Sequence, residues 1–313
     1  MNVHNIVARL LWSLGVIFIV VSATFFLLQI LPGDPVKLMM GDRVDPATVE
    51  QVREKMGLNK PIMHQYLDFW LKLLRMDFGN SYQLKLPVID QIQSASVVTL
   101  RLAFYSSLVA VIGGLIFGVT AAIFRGRWID NLLMSIAVFG ISTPSFWFAL
   151  VLQLIFGLWL QWFPISGYQA PGAFVLPAFT LGLRYMSSLA RLTRTSMLEV
   201  LSSEYLLAAK AKGVGSFRLI WLHAFGNALL PIMTFIGSSL ADMMAGAILI
   251  EHVFSLPGIG RLTFDSLMSR DLPLLQATVV YLTVISVGIY LIVDFLALFI
   301  DPRLRTGGKR NVE

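Results

Sequence analysis

The chain has 313 residues, 57% of them hydrophobic and 13% charged, with a formal charge of +6 and no cysteine; its mean hydropathy is +0.75. A composition this apolar at this length excludes a soluble globular domain and indicates a polytopic membrane protein. The absence of thiols excludes disulfides and thiolate metal sites, and the placement of the positive charges, taken up below, is not that of a nucleic-acid binder.

A membrane crossing needs about 20 predominantly apolar residues. The first such run is Leu10 to Leu31, behind Arg9. No small-residue cleavage site follows it, since Leu31 leads into Pro32, Gly33, Asp34 and Pro35, so it reads as a retained helix. Residues 32–99 then form a polar, extracytoplasmic helical insert. Asp45 caps a helix there, Pro46 takes its first position, Val49, Val52 and Met56 share one face, and Gly57 stops it. A second helix begins at Pro61 and shows Ile62, Tyr66, Phe69, Trp70 and Leu73 at helical spacing before Gly79. This pair reads as an amphipathic unit covering a small core of its own on the membrane surface, or as a docking platform for a soluble solute-binding protein; the two readings are compatible.

Five further spans follow. Leu102 to Phe124 carries Gly114 and Gly118 at the GxxxG spacing of close helix contacts. Leu132 to Leu160 is long and contains Pro144, which predicts a tilt or kink near Ser142–Trp147. Phe174 to Leu189 is short and carries Arg184. Ala228 to Ile250 contains Asp242 and the small residues Gly237, Ala241 and Ala245 at every fourth position, and Ala277 to Ile300 contains Asp294. The predicted fold is therefore all-α and polytopic, with six transmembrane helices. The chain divides into a first span (1–31), the insert (32–99), a five-span core (100–301) and a tail (302–313).

Between the fourth and fifth spans lies a basic polar stretch, 190–227. Ser202 and Ser203 offer N-caps, Glu204 sits in a first turn, Lys210 and Lys212 occupy the last, and Gly213 takes the left-handed position that ends a helix. Ala208, Ala209 and Ala211 keep this short helix narrow enough for a groove on a partner. Gly215 allows a reversal, and Ser216 starts a second helix through Phe217, Leu219, Ile220 and Trp221.

With the N-terminus inside, the inner segments gather Arg9, Arg125, Arg127, Arg191, Arg194, Lys210, Lys212, Arg218, Arg303, Arg305, Lys309 and Arg310 against few acids. That satisfies the positive-inside rule and places both termini in the cytoplasm. Enzymatic signatures are missing: the four histidines form no ligand spacing, no serine has a nearby base, and no P-loop is present. Glu251 beside His252 offers two metal-ligand types, but a satisfied surface histidine is the commoner reading. Ionisable residues inside spans are costly and point to function. Arg184 and Asp242 fall at similar depth; they form either a salt bridge between two spans or the lining of a path suited to a zwitterionic peptide. Asp294 is expected to pair with Arg303 or Arg305.

A series of short motifs carries a family resemblance: LPGDP at Leu31 to Pro35, GLNKP at Gly57 to Pro61, DFGNS at Asp77 to Ser81, STPSFW at Ser142 to Trp147, LPAFTLG at Leu176 to Gly182, FSLPGIG at Phe254 to Gly260, RDLPLLQ at Arg270 to Gln276 and DPRLR at Asp301 to Arg305. Their order and spacing resemble the permeases of bacterial ABC importers, in the dipeptide, oligopeptide, nickel and glutathione branch. Two departures from the family's general pattern stand in the coupling loop: Leu207 occupies the acid's position, and Leu230-Pro231 lies farther from Gly213. The resemblance implies a type I importer permease in the bacterial inner membrane, with a second permease, two cytoplasmic ATPases that bind ATP and Mg, and an extracytoplasmic binding protein. It makes Glu204, Tyr205, Ala208, Ala209, Lys210, Lys212 and Gly213 the ATPase-coupling residues, and puts Pro257, Gly258 and Gly260 near an external gate. The chain itself would carry no cofactor, metal or catalytic residue. Small peptides are the expected solutes, with nickel chelates and glutathione as alternatives. An ion-coupled secondary transporter would also account for Arg184 and Asp242, but not for the short cytoplasmic helix.

Overall fold

The computed structural model describes residues 3–30, 36, 40, 45–55 and 57–300. Helix α1 spans Val3–Ile30, and the insert contributes α2 (Pro46–Lys55) and α3 (Ile62–Leu74). The core follows with α4 (Val88–Ile123), α5 (Trp128–Ser142) and α6 (Ser145–Leu152), the last continued by a wide π-helical stretch, Gln153–Trp159. Then come α7 (Val175–Leu201) and the short α8 (Glu204–Ala211). The single turn α9 (Ser216–Arg218) passes through a second π stretch, Leu219–Ala224, into α10 (Phe225–Val253). Helices α11 (Ile259–Met268) and α12 (Leu272–Ile300) complete the core. Among the described residues the only extended pairing is one bridge, Asn80 with Pro87. The motifs at 31–35 and 301–305 lie outside the described residues.

Among the described residues four helices are long and apolar enough to cross a membrane, over Val7–Ile30, Val88–Ile123, Leu219–Ala245 and Leu272–Leu296. Their outward side chains, such as Leu11, Trp12, Leu27, Ile112 and Ile116, are exposed and need hydrocarbon around them. The third predicted span is broken rather than kinked, because α5 and the α6 stretch meet at 107°. Pro144 lacks an N–H and drives the residue before it into the extended region, where Thr143 stands at φ −82°, ψ 127°. The fourth predicted span is the outer part of the 27-residue α7. Its arginines lower its hydropathy below that of a lipid-facing span, which α7 tolerates because a long face from Leu176 to Met197 is buried by protein.

Helix α4 has 36 residues, about 54 Å at 1.5 Å per residue, and so runs without a break from the insert through the span beginning at Leu102. It packs along α7 at glycines. A β-carbon on Gly118 would stand 2.5 Å from Thr193 Cβ and 2.6 Å from the Ala190 carbonyl oxygen, and one on Gly182 would stand 2.7 Å from the Ser106 carbonyl. Gly237 is likewise closed in by Val293 of α12. The GxxxG and small-residue stripes are thus helix contacts, as their spacing predicts. At the inner end of α12, Asp294 pairs with Arg9 of α1 at 2.8 Å, while Arg303 and Arg305 lie outside the described residues.

Within the insert Val36 and Val49 are buried, and α3 also packs against α1. Tyr66 of α3 packs against Phe25 and Phe26 of α1 at 5.4 and 5.2 Å, Trp70 stacks on Phe18 at 5.2 Å, and the Tyr66 hydroxyl meets the Ser22 hydroxyl at 2.8 Å. The aromatic face of α3 therefore runs down the flank of α1, and α2 is joined to this pair through the turn at Asn59, whose amide donates to Glu50 at 2.7 Å.

Two buried carboxylates hold the outer rim together. Glu251, at the end of α10, is fully buried and accepts from the Thr99 hydroxyl of α4 at 2.6 Å and the Arg261 backbone N–H at 2.9 Å. Thr99 in turn accepts the Ile259 N–H at 2.8 Å. A carboxylate at the start of α11 satisfies orphan N–H groups and the positive end of the helix dipole. The second carboxylate, Asp271, accepts from the Ser81 hydroxyl and, at 3.2 Å, from the Gln83 N–H. Two of the sequence motifs, DFGNS and RDLPLLQ, are tied to each other in this way. Beside them, burial and the Asp271 carboxylate push the Tyr82 phenol up to about 12, so it stays protonated. Glu251→Gln places an amide N–H where only acceptors fit. It is expected to cost about 1–3 kcal/mol, the usual penalty for leaving buried donors unpaired. Thermal unfolding of the purified protein in detergent measures this, and an unchanged midpoint would show that the Glu251 cluster adds nothing to stability.

Candidate functional site

Helix α8 lies between two turns, on the stretch that the positive-inside rule assigns to the cytoplasm. Its C-terminal stop is the predicted one: Gly213 adopts φ +82°, a left-handed conformation that other residues rarely reach. Its N-terminus differs from expectation. The Ser202 and Ser203 hydroxyls turn back and donate to the Glu199 and Val200 carbonyls at 3.0 and 2.5 Å, so they finish α7 and do not cap α8. Serine at such a junction serves either neighbour, and local sequence does not decide which.

Leu206 anchors α8. It is 1% exposed and enters an inner apolar cluster with Val119 and Ala122 of α4, Leu189 and Met197 of α7, and Ala228 and Ile232 of α10. The Tyr205 hydroxyl accepts from the Asn227 amide at 2.8 Å, a second tie to α10. Glu204, Ala208, Lys212 and Gly213 are exposed and Ala209 is half-buried; Lys210 lies in the last turn of the helix. Among the described side chains, Leu206 and Tyr205 thus tie the helix to the core, and Ala208 leaves a small-residue surface exposed. The sequence reading missed the contacts of Leu206 and Asn227, since a lone leucine in a polar stretch gives no periodic signal.

Arg184 of α7 and Asp242 of α10 are both exposed. They do not form the ion pair that was one of the two expectations. Asp242 instead accepts from the Tyr290 hydroxyl of α12 at 2.8 Å, and among the described residues Arg184 has no acidic partner. The two groups stand exposed on neighbouring helices without pairing with each other. Tyr290, forty-eight residues from Asp242, carried no local signal.

On the outer side, Gly258 and Gly260 are buried beneath Glu251, and Gly258 leaves no space for a β-carbon against that carboxylate. A β-carbon on Gly260 would stand 2.6 Å from the Ile248 Cα. Pro257 is exposed at the tip. The loop after α6 docks here, with the Gly167 N–H donating to the Phe254 carbonyl at 3.0 Å and the Gln153 amide reaching the Val253 carbonyl at 3.2 Å. His252 stacks against Phe264 at 4.6 Å between ring centres, and no group of three or more metal-ligating side chains occurs among the described residues.

Residues 114–306 match a family profile described as the binding-protein-dependent transport system inner membrane component, and residues 2–103 match its N-terminal companion. A Brucella abortus (strain 2308) protein named as a peptide transport system permease is 38% identical over 308 residues, covering 96% of this chain and 98% of the relative. The glutathione transport system permease protein GsiC of Escherichia coli (strain K12) is 38% identical over 302 residues, covering 96% and 99%. Among solved structures, an inward-facing form of the MetNI methionine ABC transporter superposes with a TM-score of 0.59 at 17% identity, over 68% of this chain and 97% of that one. At that identity the match speaks to the fold alone. The chain belongs to the binding-protein-dependent transport system inner membrane components, the multi-pass permease subunits of ABC importers.

Proposed function

We propose that this permease forms, with a second similar permease, the pathway by which small peptides enter the cell, and that α8 is its coupling helix. Two cytoplasmic ATPases bind ATP and Mg and grip α8; an extracytoplasmic binding protein delivers the solute. The observation that carries this reading is the mounting of α8: Leu206 is buried in a cluster shared by α4, α7 and α10, while Ala208, Lys212 and Gly213 stay free. A displacement imposed on the free face is thereby passed to three core helices at once. ATP closes the ATPase dimer, α8 moves with it, and the core turns so that the pathway opens to the other side. The ATPases' differential affinity for the two states supplies the bias.

Peptides are favoured over other solutes by two supports. Relatives named for peptide and glutathione transport align over nearly the whole chain. Arg184 and Asp242 present one cation and one anion at mid-depth, unpaired with each other, which suits the two charged ends of a peptide. Pro257, Gly258 and Gly260 would form part of the external gate. The positive-inside bias supports six spans with both termini cytoplasmic, the bent pair α5–α6 and the buried α7 each making one crossing.

Ala209→Trp is expected to abolish uptake while leaving the protein in the membrane, because the indole blocks entry of α8 into an ATPase groove. Uptake measured in vesicles checks this, and normal transport would remove α8 from the coupling role. Single cysteines at Lys60 and Lys212, in a chain without native thiols, should react with an impermeant maleimide from opposite faces. Labelling of both in intact cells would overturn the topology. For the pathway, Arg184→Gln and Asp242→Asn should each assemble and hydrolyse ATP yet lose uptake of solutes bearing the complementary charge, with the double variant still defective. Recovery in the double variant would mean that the two charges serve each other and not the solute.

A further inference from the structure

The inner end of the core carries a polar clasp that the coupling reading leaves unused. Asp130, in the first turn of α5, is 2% exposed. Arg194 of α7 donates to both its oxygens, Nε to Oδ1 at 2.7 Å and Nη2 to Oδ2 at 2.8 Å, and the Gly126 backbone N–H donates to Oδ2 at 2.9 Å. One carboxylate thus joins three pieces of chain: the α4–α5 turn, the start of α5, and α7 ten residues ahead of the coupling helix. Two-pronged arginine pairing fixes orientation as well as distance.

What this pair adds follows from the other contacts. Helices α4 and α7 are already locked by the glycines at 114, 118 and 182, where no β-carbon fits. Helix α5 meets α7 closely at Gly140, which faces Ser187 and Leu183, and near its inner end through the Asp130–Arg194 pair. Packing at Gly140 sets how closely α5 approaches α7; the directional contact about 15 Å away along the helix (ten residues at 1.5 Å) fixes the orientation at the other end of α5 as well. Helix α5 leads directly into the 107° break before α6, and Phe148 of α6 packs on Phe179 of α7. Anything that holds α5 to α7 therefore also governs the bent segment.

We propose that Asp130 and Arg194 are positioning residues for transport: they make α5 and the α4–α5 turn travel as one body with α7 and α8, so that the coupling stroke reaches the broken helix as well as the unbroken ones. This rests on the reading of α8 as the coupling helix. The pair's role is transmission, which separates it from a merely stabilising salt bridge; a buried pair by itself says little about stability.

The test uses the full complex with its ATPases in lipid nanodiscs, spin labels on introduced cysteines, and distances measured with and without ATP plus vanadate. Trp128 and Lys212 are exposed and report on α5 against α8; Met268, exposed at the outer rim, reports on α8 against the outside. In the parent, the Trp128–Lys212 distance is expected to stay constant while the Lys212–Met268 distance shifts. In Asp130→Asn the Trp128–Lys212 distance should become nucleotide-dependent. Arg194→Lys, which keeps the charge but loses the fork, should show the same change in smaller degree and serves where Asp130→Asn fails to assemble. A Trp128–Lys212 distance that shifts in the parent, or stays fixed in both variants, overturns the clasp. A Lys212–Met268 distance that never shifts overturns the coupling-helix reading and the clasp with it.

Discussion

The close approach of α4 to α7 is the contact on which the rest of the molecule depends. In a bilayer, burying apolar side chains between helices gains little over leaving them in lipid, so association relies on backbones coming near enough for dense packing. Gly114, Gly118 and Gly182 supply that approach, each at a point where even a methyl group has no room. The packed face of α7 carries small and apolar residues, and Arg184, Arg191 and Arg194 fall on the rest of its surface. A single packing choice thus makes room for the polar groups that concern transport.

Those polar groups are distributed unevenly along the membrane normal. At the outer rim Glu251, Thr99, Asp271 and Ser81 are buried and saturated with hydrogen bonds. At the other end the buried Asp130 accepts from Arg194 through both oxygens and from the Gly126 N–H. Midway, Arg184 and Asp242 are exposed and apart. Satisfied polar groups rigidify the structure around them, whereas exposed ones keep their binding capacity. The arrangement fixes the ends of the core and reserves its middle for interaction.

How much of this the sequence revealed depended on whether a feature is local. The end of α8 was legible because a glycine after two lysines specifies a left-handed stop, and Gly213 adopts one. The all-α membrane fold was legible from composition and from runs of apolar residues. Pro144 was read as a kink but breaks the helix by 107°, since a proline fixes where a helix stops and tertiary packing fixes the angle at which it resumes. Ser202 and Ser203 have donors and acceptors enough to serve either helix, and they serve the earlier one. Glu251 looked like a surface acid beside a histidine; its burial depends on Thr99, 152 residues away. Partners at such separation leave no periodic trace.

The position of Leu206 links these themes. A coupling element fastened by many contacts would resist displacement, and one fastened by none would move without effect on the core. Leu206 is one fully buried side chain on a short helix, and the side chains around it come from α4, α7 and α10 together. Because buried side chains pack at crystal-like density, a displaced leucine cannot be absorbed by its neighbours without shifting them. The glycine contacts join α4 closely to α7, and Gly237 joins α10 as closely to Val293 of α12. Packing in this fold is tight at the glycine contacts and open at Arg184 and Asp242, where charged groups stay exposed.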